Sequence, residues 1–124
     1  NIDLVHSNTV TLQSPLIAAK ELDIPSVLHC REILITDPDL CLKFNLTPEQ
    51  IEKQINKETK YCITNSEFTD RTFNFEGQRF CIHNEIDSKA LNIPNIVDDS
   101  KIYVGLISSN IPKKGIEDFV KLAT

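Results

Sequence analysis

The sequence predicts an α/β fold in which a parallel sheet is flanked by helices. Short apolar runs of strand length alternate with stretches of helical periodicity along most of the chain. Gly, Pro and helix-capping residues separate these stretches. Strands that are joined through a helix are parallel, and the crossover is right-handed almost without exception.

The first strand–helix–strand unit lies at the start of the chain. Residues 2–6 are the first predicted strand, and residues 12–22 have the pattern of a helix that ends at the DIP sequence of residues 23–25. Residues 26–30 (SVLHC) form the second strand, and a less regular connection follows over residues 33–46.

The next helix has a strong start signal. Thr47 can cap the amide of Gln50, Gln50 can reach back to Thr47, and Pro48 occupies a first-turn position that needs no N–H. This helix is expected to end near Glu58, and the third strand follows at residues 60–64.

A third helix is predicted after the NSE sequence of residues 65–67, where Ser66 is interpreted as a helix cap. It runs to about Phe75, ends at Gly77 and leads to a fourth strand at residues 79–82. The loose pattern of residues 91–100 predicts a linker.

A second α/β unit is predicted after the linker. Residues 101–107 form its strand, and a helix starts near Ile116. We therefore predict the C-terminal part of a first domain over residues 1–90 and the start of a second, truncated domain over residues 101–124. Because the N-terminus has neither an initiator Met nor a basic leader, we expect the chain to begin inside a larger protein or after processing.

Composition narrows the classes of function. The 124 residues carry a net charge of −5 with scattered acidic residues, which argues against nucleic acid as the main partner. No apolar run has the length of a membrane span. The four cysteines form no CxxC pair, so we expect reduced, buried thiols in a cytoplasmic protein, with a disulfide or metal site as the alternative.

Polar residues follow each predicted strand, and the carboxyl ends of parallel strands form the usual ligand-binding edge. We expect these residues to line a cleft for a hydroxylated, phosphorylated ligand. The histidines have no HxxxH or HExxH spacing, so no zinc site is predicted. The turn at residues 113–115 (KKG) is either a solvated turn or a diphosphate cradle, since it combines Lys charge with helix-start amides. The candidate residues are His6, Asn8, Arg31, Glu32, Ser66, Asn84, Ser109 and Lys114.

Five segments together resemble the retaining glycosyltransferases of the GT-B fold, in the group called family 4, and they keep that family's order over nearly the whole chain. They are DLVHSNT at residues 3–9, PSVLHCRE at 25–32, NSE at 65–67, HNEID at 83–87 and VGLISSNIPKKGIEDF at 104–119. The resemblance implies two Rossmann-like domains that face a cleft, with the acceptor on the first and the nucleotide-sugar donor on the second.

The resemblance also implies a reaction. A sugar would pass from the nucleotide-sugar to a saccharide or lipid-linked acceptor with retention, without an obligatory metal or other cofactor, in the synthesis of a surface polysaccharide or glycolipid. Lys114 matches the family's lysine that neutralises the donor diphosphate, which makes it the catalytic candidate. Such an enzyme would act in the cytoplasm, at the inner face of the membrane, with peripheral membrane association of the full-length protein.

The sequence departs from the family at two positions. Ser109 stands near the place of an arginine that contacts the diphosphate, and Glu85 replaces a glycine after Asn84. The family's glycine-rich loop and its Glu-x7-Glu pair would lie before Asn1 and after Thr124, so we expect the isolated 124 residues to transfer no sugar. Two alternatives stay open: a nucleotide-sugar epimerase of the same fold, and a non-catalytic α/β module that binds a nucleotide or a protein.

Overall fold

Four parallel strands form one sheet in the computed structural model, which describes residues 1–87, 100–109 and 114–122. Their order in the sheet is their order in the chain, and each pairs in parallel with the next. The predicted parallel α/β fold is therefore confirmed. β1 starts later than predicted because its first bond to the sheet runs from the amide of Val5 to the carbonyl of Pro25, at 2.9 Å. The strands are β1 (Val5–Ser7), β2 (Ser26–Cys30), β3 (Tyr61–Thr64) and β4 (Gln78–Cys81).

Helices connect the strands. The chain divides into two compact units, Asn1–Ile86 and Asp87–Thr124. Apart from Ser100, the predicted linker at residues 91–100 lies outside the described residues. The helices of the first unit are α1 (Ser14–Glu21), a short 3₁₀ helix (Leu34–Thr36), α2 (Pro38–Phe44), α3 (Pro48–Glu58) and α4 (Glu67–Thr72), and the second unit contains α5 (Ile116–Leu122).

The start of α3 is a capping box, as predicted. The amide of Gln50 donates to Thr47 Oγ1 at 3.3 Å, and the amide of Thr47 donates to Gln50 Oε1 at 2.8 Å. One face of the helix then buries Ile51 and Ile55 completely. Each buried aliphatic side chain contributes about 1.5–3 kcal/mol to the stability of the fold. Local capping and packing against the core therefore both stabilise α3.

The buried residues of β2 and β3 alternate with less buried ones, and register places the buried set on one face of the sheet. Strands that are neighbours in chain order and are joined by right-handed crossovers have their connecting helices on one face, which accounts for this burial. The Nζ atom of Lys20 on α1 lies 3.4 Å from Glu58 Oε2 on α3 and donates to the carbonyl of Lys57, so these two helices are in contact. Burial alternates along β2, with Leu28 fully buried and His29 only half-buried. The buried side chains that point to the helices include Leu28, Cys30, Cys62 and Thr64.

The connection over residues 33–46 is more regular than predicted. It contains the 3₁₀ helix and α2, whose start is capped by Asp37, since the Leu40 amide donates to Asp37 Oδ1 at 3.3 Å. Pro38 occupies the first turn, and Asn45 ends the helix in the left-handed conformation with φ at 51°. The Asp-Pro pair was the signal for this helix, because Asp caps and first-turn Pro are both favoured there.

The prediction that α4 reaches Phe75 and ends at Gly77 is wrong. The helix ends at Thr72, and Gly77 lies in the connection to β4, at the residue directly before the strand. A Cβ atom at this position would lie 2.3 Å from the carbonyl oxygen of Lys60, while the Gln78 amide donates to that oxygen at 2.8 Å. The glycine therefore permits a close backbone approach at the start of β4.

The predicted strand at residues 101–107 is also wrong. Residues 102–109 form neither helix nor strand, and their apolar side chains are exposed, with Ile102 at 95% and Ile107 fully exposed. A strand is stable only when its backbone groups pair with a neighbour, and composition alone cannot supply one. The helix predicted near Ile116 is confirmed as α5. None of the described helices is long and apolar enough to cross a bilayer.

Candidate functional site

The carboxyl ends of β1 to β4 lie at one edge of the sheet because all four strands are parallel. The segments that carry the candidates of the first unit leave the sheet at this edge, as predicted. Their side chains are not equally accessible. The exposed candidates are His6, Asn8, Arg31 and Asn84, and the partly buried ones are Glu32 and Ser66.

Glu32 joins the end of β2 to the loop after β1. Its Oε1 atom accepts a hydrogen bond from the hydroxyl of Thr9, and its Oε2 atom accepts from the amides of Val10 at 3.2 Å and Arg31 at 3.1 Å. The three donors lie in the loop after β1 and at the end of β2. Glu32 therefore attaches two neighbouring loops to each other, and its role as a cleft residue stays a prediction.

The polar residues after β1 have separate roles. The Ser7 hydroxyl is buried and donates to the carbonyl of Leu12 at 2.7 Å. Thr9 Oγ1 accepts from the amide of Thr11 at 3.1 Å in addition to its bond to Glu32. Asn8 is exposed between them. Asn8 and Thr11 are thus the exposed polar residues of this loop, and Thr11 Oγ1 lies within hydrogen-bond distance of Thr9 Oγ1.

His6 and His29 form a stacked pair that the sequence analysis did not predict. Their ring centroids lie 5.6 Å apart and the ring planes differ by 12°. The two rings lie on the face of the sheet opposite the helices, where alternate residues of adjacent strands become neighbours. Burial lowers the pKa of His29, and nearby His6 and Arg31 lower it further. The buried Nε2 atom of His29 has no hydrogen-bond partner among the described residues.

Ser66 caps α4, as predicted. The amide of Thr69 donates to Ser66 Oγ at 3.1 Å, and the Thr69 hydroxyl donates to Asn65 Oδ1 at the same distance. The following turn contains an exposed pair, in which Arg71 Nη2 lies 2.9 Å from Glu67 Oε2. The polar groups of Asn65 and Ser66 therefore make hydrogen bonds at the start of α4, a helix of six residues.

Asn84 lies beyond the end of β4. The last backbone bond of the sheet runs from the amide of Ile82 to the carbonyl of Thr64, at 2.8 Å. Asn84 and its neighbour Glu85 are exposed and have no regular secondary structure. The structure thus places the HNEID segment at the carboxyl end of the sheet without a packed side chain at Asn84.

The second unit carries Ser109 and Lys114. Both are exposed, and the carbonyl of Ser109 accepts from the Ser108 hydroxyl at 3.2 Å. Gly115 has φ at 71°, and its carbonyl accepts from the amide of Phe119 at 2.9 Å, which starts α5. Lys113, the first residue of the predicted KKG turn, lies outside the described residues.

Buried ionisable groups lie on the helix-covered side of the sheet. Glu52 on α3 accepts from the amide of Asn74 at 3.0 Å, and burial raises its pKa. Burial also raises the pKa of Cys30 and brings that of Cys62 to about 11, so both thiols are protonated at pH 7. Cys81 is exposed, contrary to the expectation of a buried thiol, and so are the other three residues of β4, one of the two outer strands of the described sheet.

Two cavities lie away from the candidate residues. One, of about 540 Å³, is mainly apolar and lies between the 3₁₀ helix, α2 and the start of α3; the other, of about 500 Å³, lies where the strands begin. Among the residues that the structure describes, no three His, Cys, Asp or Glu side chains gather closely enough to hold a metal ion. The two cavities and the polar carboxyl ends of the strands therefore lie at different places in the first unit.

Comparisons with known proteins found no relative of this chain. No protein-family model, no curated protein and no solved structure matches the chain.

Proposed function

We propose that this chain is a segment of a GT-B glycosyltransferase that moves a sugar from a nucleotide-sugar donor to a saccharide or lipid-linked acceptor with retention. One observation carries the proposal most directly. The segments that resemble the family's motifs at residues 3–9, 25–32 and 65–67 leave β1, β2 and β3 at one edge of a parallel sheet. Ligands of open α/β folds bind at this edge.

The acceptor side of the proposal rests on Asn8 and Arg31. Both side chains are exposed, and they follow adjacent strands. A carboxamide and a guanidinium together can donate and accept hydrogen bonds to sugar hydroxyls, and the guanidinium can also bind an acidic group. His6 lies on β1, two residues before Asn8, and supplies an imidazole.

The donor side rests on Lys114. Lys114 is exposed and directly precedes Gly115 and the start of α5, within the segment that resembles the family's donor-binding motif. A lysine held near the diphosphate would stabilise the negative charge that develops as the bond to the sugar breaks. That role needs no metal ion. Ser109, where the family has an arginine, would add a hydroxyl or amide contact.

The test is calorimetry on the full-length gene product with UDP, GDP and their sugars. We expect one nucleotide series to bind, and Lys114→Ala to weaken its binding about tenfold or more, since a hydrogen bond to a charged group is worth about 1.5–3 kcal/mol. Lys53→Ala is the matched control, because Lys53 is an exposed lysine on α3 and its loss changes the net charge equally.

Two results would contradict the proposal. A folded protein that binds none of these nucleotides or nucleotide-sugars would favour the non-catalytic module instead. Equal losses of affinity in the Lys114 and Lys53 variants would show that the effect is one of net charge, and Lys114 would lose its assigned role.

A further inference from the structure

We infer that Glu32 is a positioning residue, which sets the conformation of the loop after β1 and thereby presents Asn8, and that it does not itself contact the ligand. We call residues 8–11 the β1 loop. An ionised carboxylate has about four acceptor sites. Hydrogen bonds from Thr9, Val10 and Arg31 take three of these sites and engage both oxygens of Glu32, so most of its acceptor capacity is used within the chain.

The β1 loop needs this acceptor because of Val10. The side chain of Val10 is fully buried, and its amide donates to Glu32 Oε2 at 3.2 Å. A buried amide without a partner is costly, so removal of the carboxylate would destabilise this conformation of the loop. The start of α1 offers little compensation, since the residue before it, Gln13, makes no side-chain capping bond.

The same carboxylate also holds the segment after β2. The amide of Arg31 donates to it at 3.1 Å, while the guanidinium of Arg31 is on the exposed side. One partly buried carboxylate therefore fixes two adjacent backbone segments, which present the exposed side chains of Asn8 and Arg31. Both would face a hydroxylated ligand at the sheet edge, a consequence that rests on the proposed function.

Amide hydrogen exchange, measured by NMR on the 124-residue chain, tests the positioning directly. In Glu32→Gln we expect the amides of Val10 and Arg31 to exchange about tenfold faster or more, because both lose a charged acceptor. The amides of Val5 and Ile82, which pair within the sheet, should keep their wild-type rates. Glu67→Gln is the matched control, since Glu67 is an exposed carboxylate whose partner is Arg71.

A second variant covers the case in which Glu32→Gln does not fold. Thr9→Val removes the hydroxyl that donates to Glu32 and keeps the shape of the side chain. We expect faster exchange at Val10 in this variant as well. If Glu32→Gln folds and the Val10 amide exchanges at the wild-type rate, the inference is overturned. If Glu32→Gln does not fold, a wild-type rate at Val10 in Thr9→Val overturns it instead.

Activity of the full-length gene product distinguishes positioning from contact. We expect Glu32→Gln to raise the acceptor KM about tenfold while the KM of the nucleotide-sugar stays unchanged, together with faster exchange at Val10. A rise in acceptor KM with wild-type exchange in the β1 loop would mean direct contact and would overturn the inference. If the wild-type protein binds no nucleotide-sugar, the proposed function fails, whereas the exchange experiment still decides the role of Glu32.

Discussion

β2 and residues 102–107 are similar in sequence and different in structure. Both are short runs rich in apolar residues, and both were predicted as strands. Leu28 in the middle of β2 is fully buried between β1 and β3, whereas Ile102 and Ile107 are almost wholly exposed. The difference teaches that a strand is defined by its neighbours: β2 has one on each side, and no described strand pairs with residues 102–107.

The largest expected effect is at the centre of β2. Leu28→Ala should lower the free energy of unfolding by about 3 kcal/mol, because it leaves a cavity under the helices. Ile107→Ala, a similar truncation in the exposed segment, should change it by less than about 0.5 kcal/mol. Urea denaturation of the two variants measures the difference. Equal destabilisation would mean that the 102–107 segment is also packed.

The two glycines make a second comparison. Gly77→Ala should cost about 2 kcal/mol, since the new Cβ would lie 2.3 Å from the backbone oxygen of Lys60, and the backbone would have to move. Gly105→Ala should be nearly neutral because nothing lies within 4 Å of its Cβ position. Thermal unfolding of both variants tests this, and a neutral Gly77→Ala would show that the start of β4 adapts freely.

The smallest effect is expected at the hydroxyls. Ser66→Ala should cost about 1 kcal/mol, because the amide of Thr69 loses its cap. Ser108→Ala removes a hydroxyl that donates to a neighbouring carbonyl in the exposed segment, and it should have no measurable effect on stability. The urea concentration at the midpoint of unfolding, measured for both variants, tests these two values. A Ser66→Ala protein as stable as the wild type would mean that the Ser66 hydroxyl is not needed as a cap, which leaves it free to bind a ligand.

Local patterns predicted the elements whose stability is local. The capping box of Thr47 and Gln50, the termination of α1 just before Asp23 and the cap at Ser66 are all as predicted, since each depends on residues within one turn. The start of α2 was missed although Asp37 and Pro38 carry the same kind of signal. That miss was an error of interpretation and not a limit of the sequence.

The candidate site was predictable only in outline. The order of strands and polar residues predicted which segments meet at one sheet edge, and the parallel pairing confirms it. The accessible side chains could not be predicted in this way. The bond between Glu32 and Val10 spans 22 positions in the chain, and the stacking of His6 on His29 depends on the register of two strands.

By itself the sequence determined the helix starts, the alternation of strands and helices, and the parallel direction of the sheet, because caps, periodicity and crossover length act over short stretches of chain. Only the tertiary structure decided that Gly77 admits the Lys60 carbonyl, that Glu32 holds the β1 loop, and that residues 102–107 form no strand. Those outcomes depend on atoms brought together from distant positions, and backbone pairing and burial are properties of both partners.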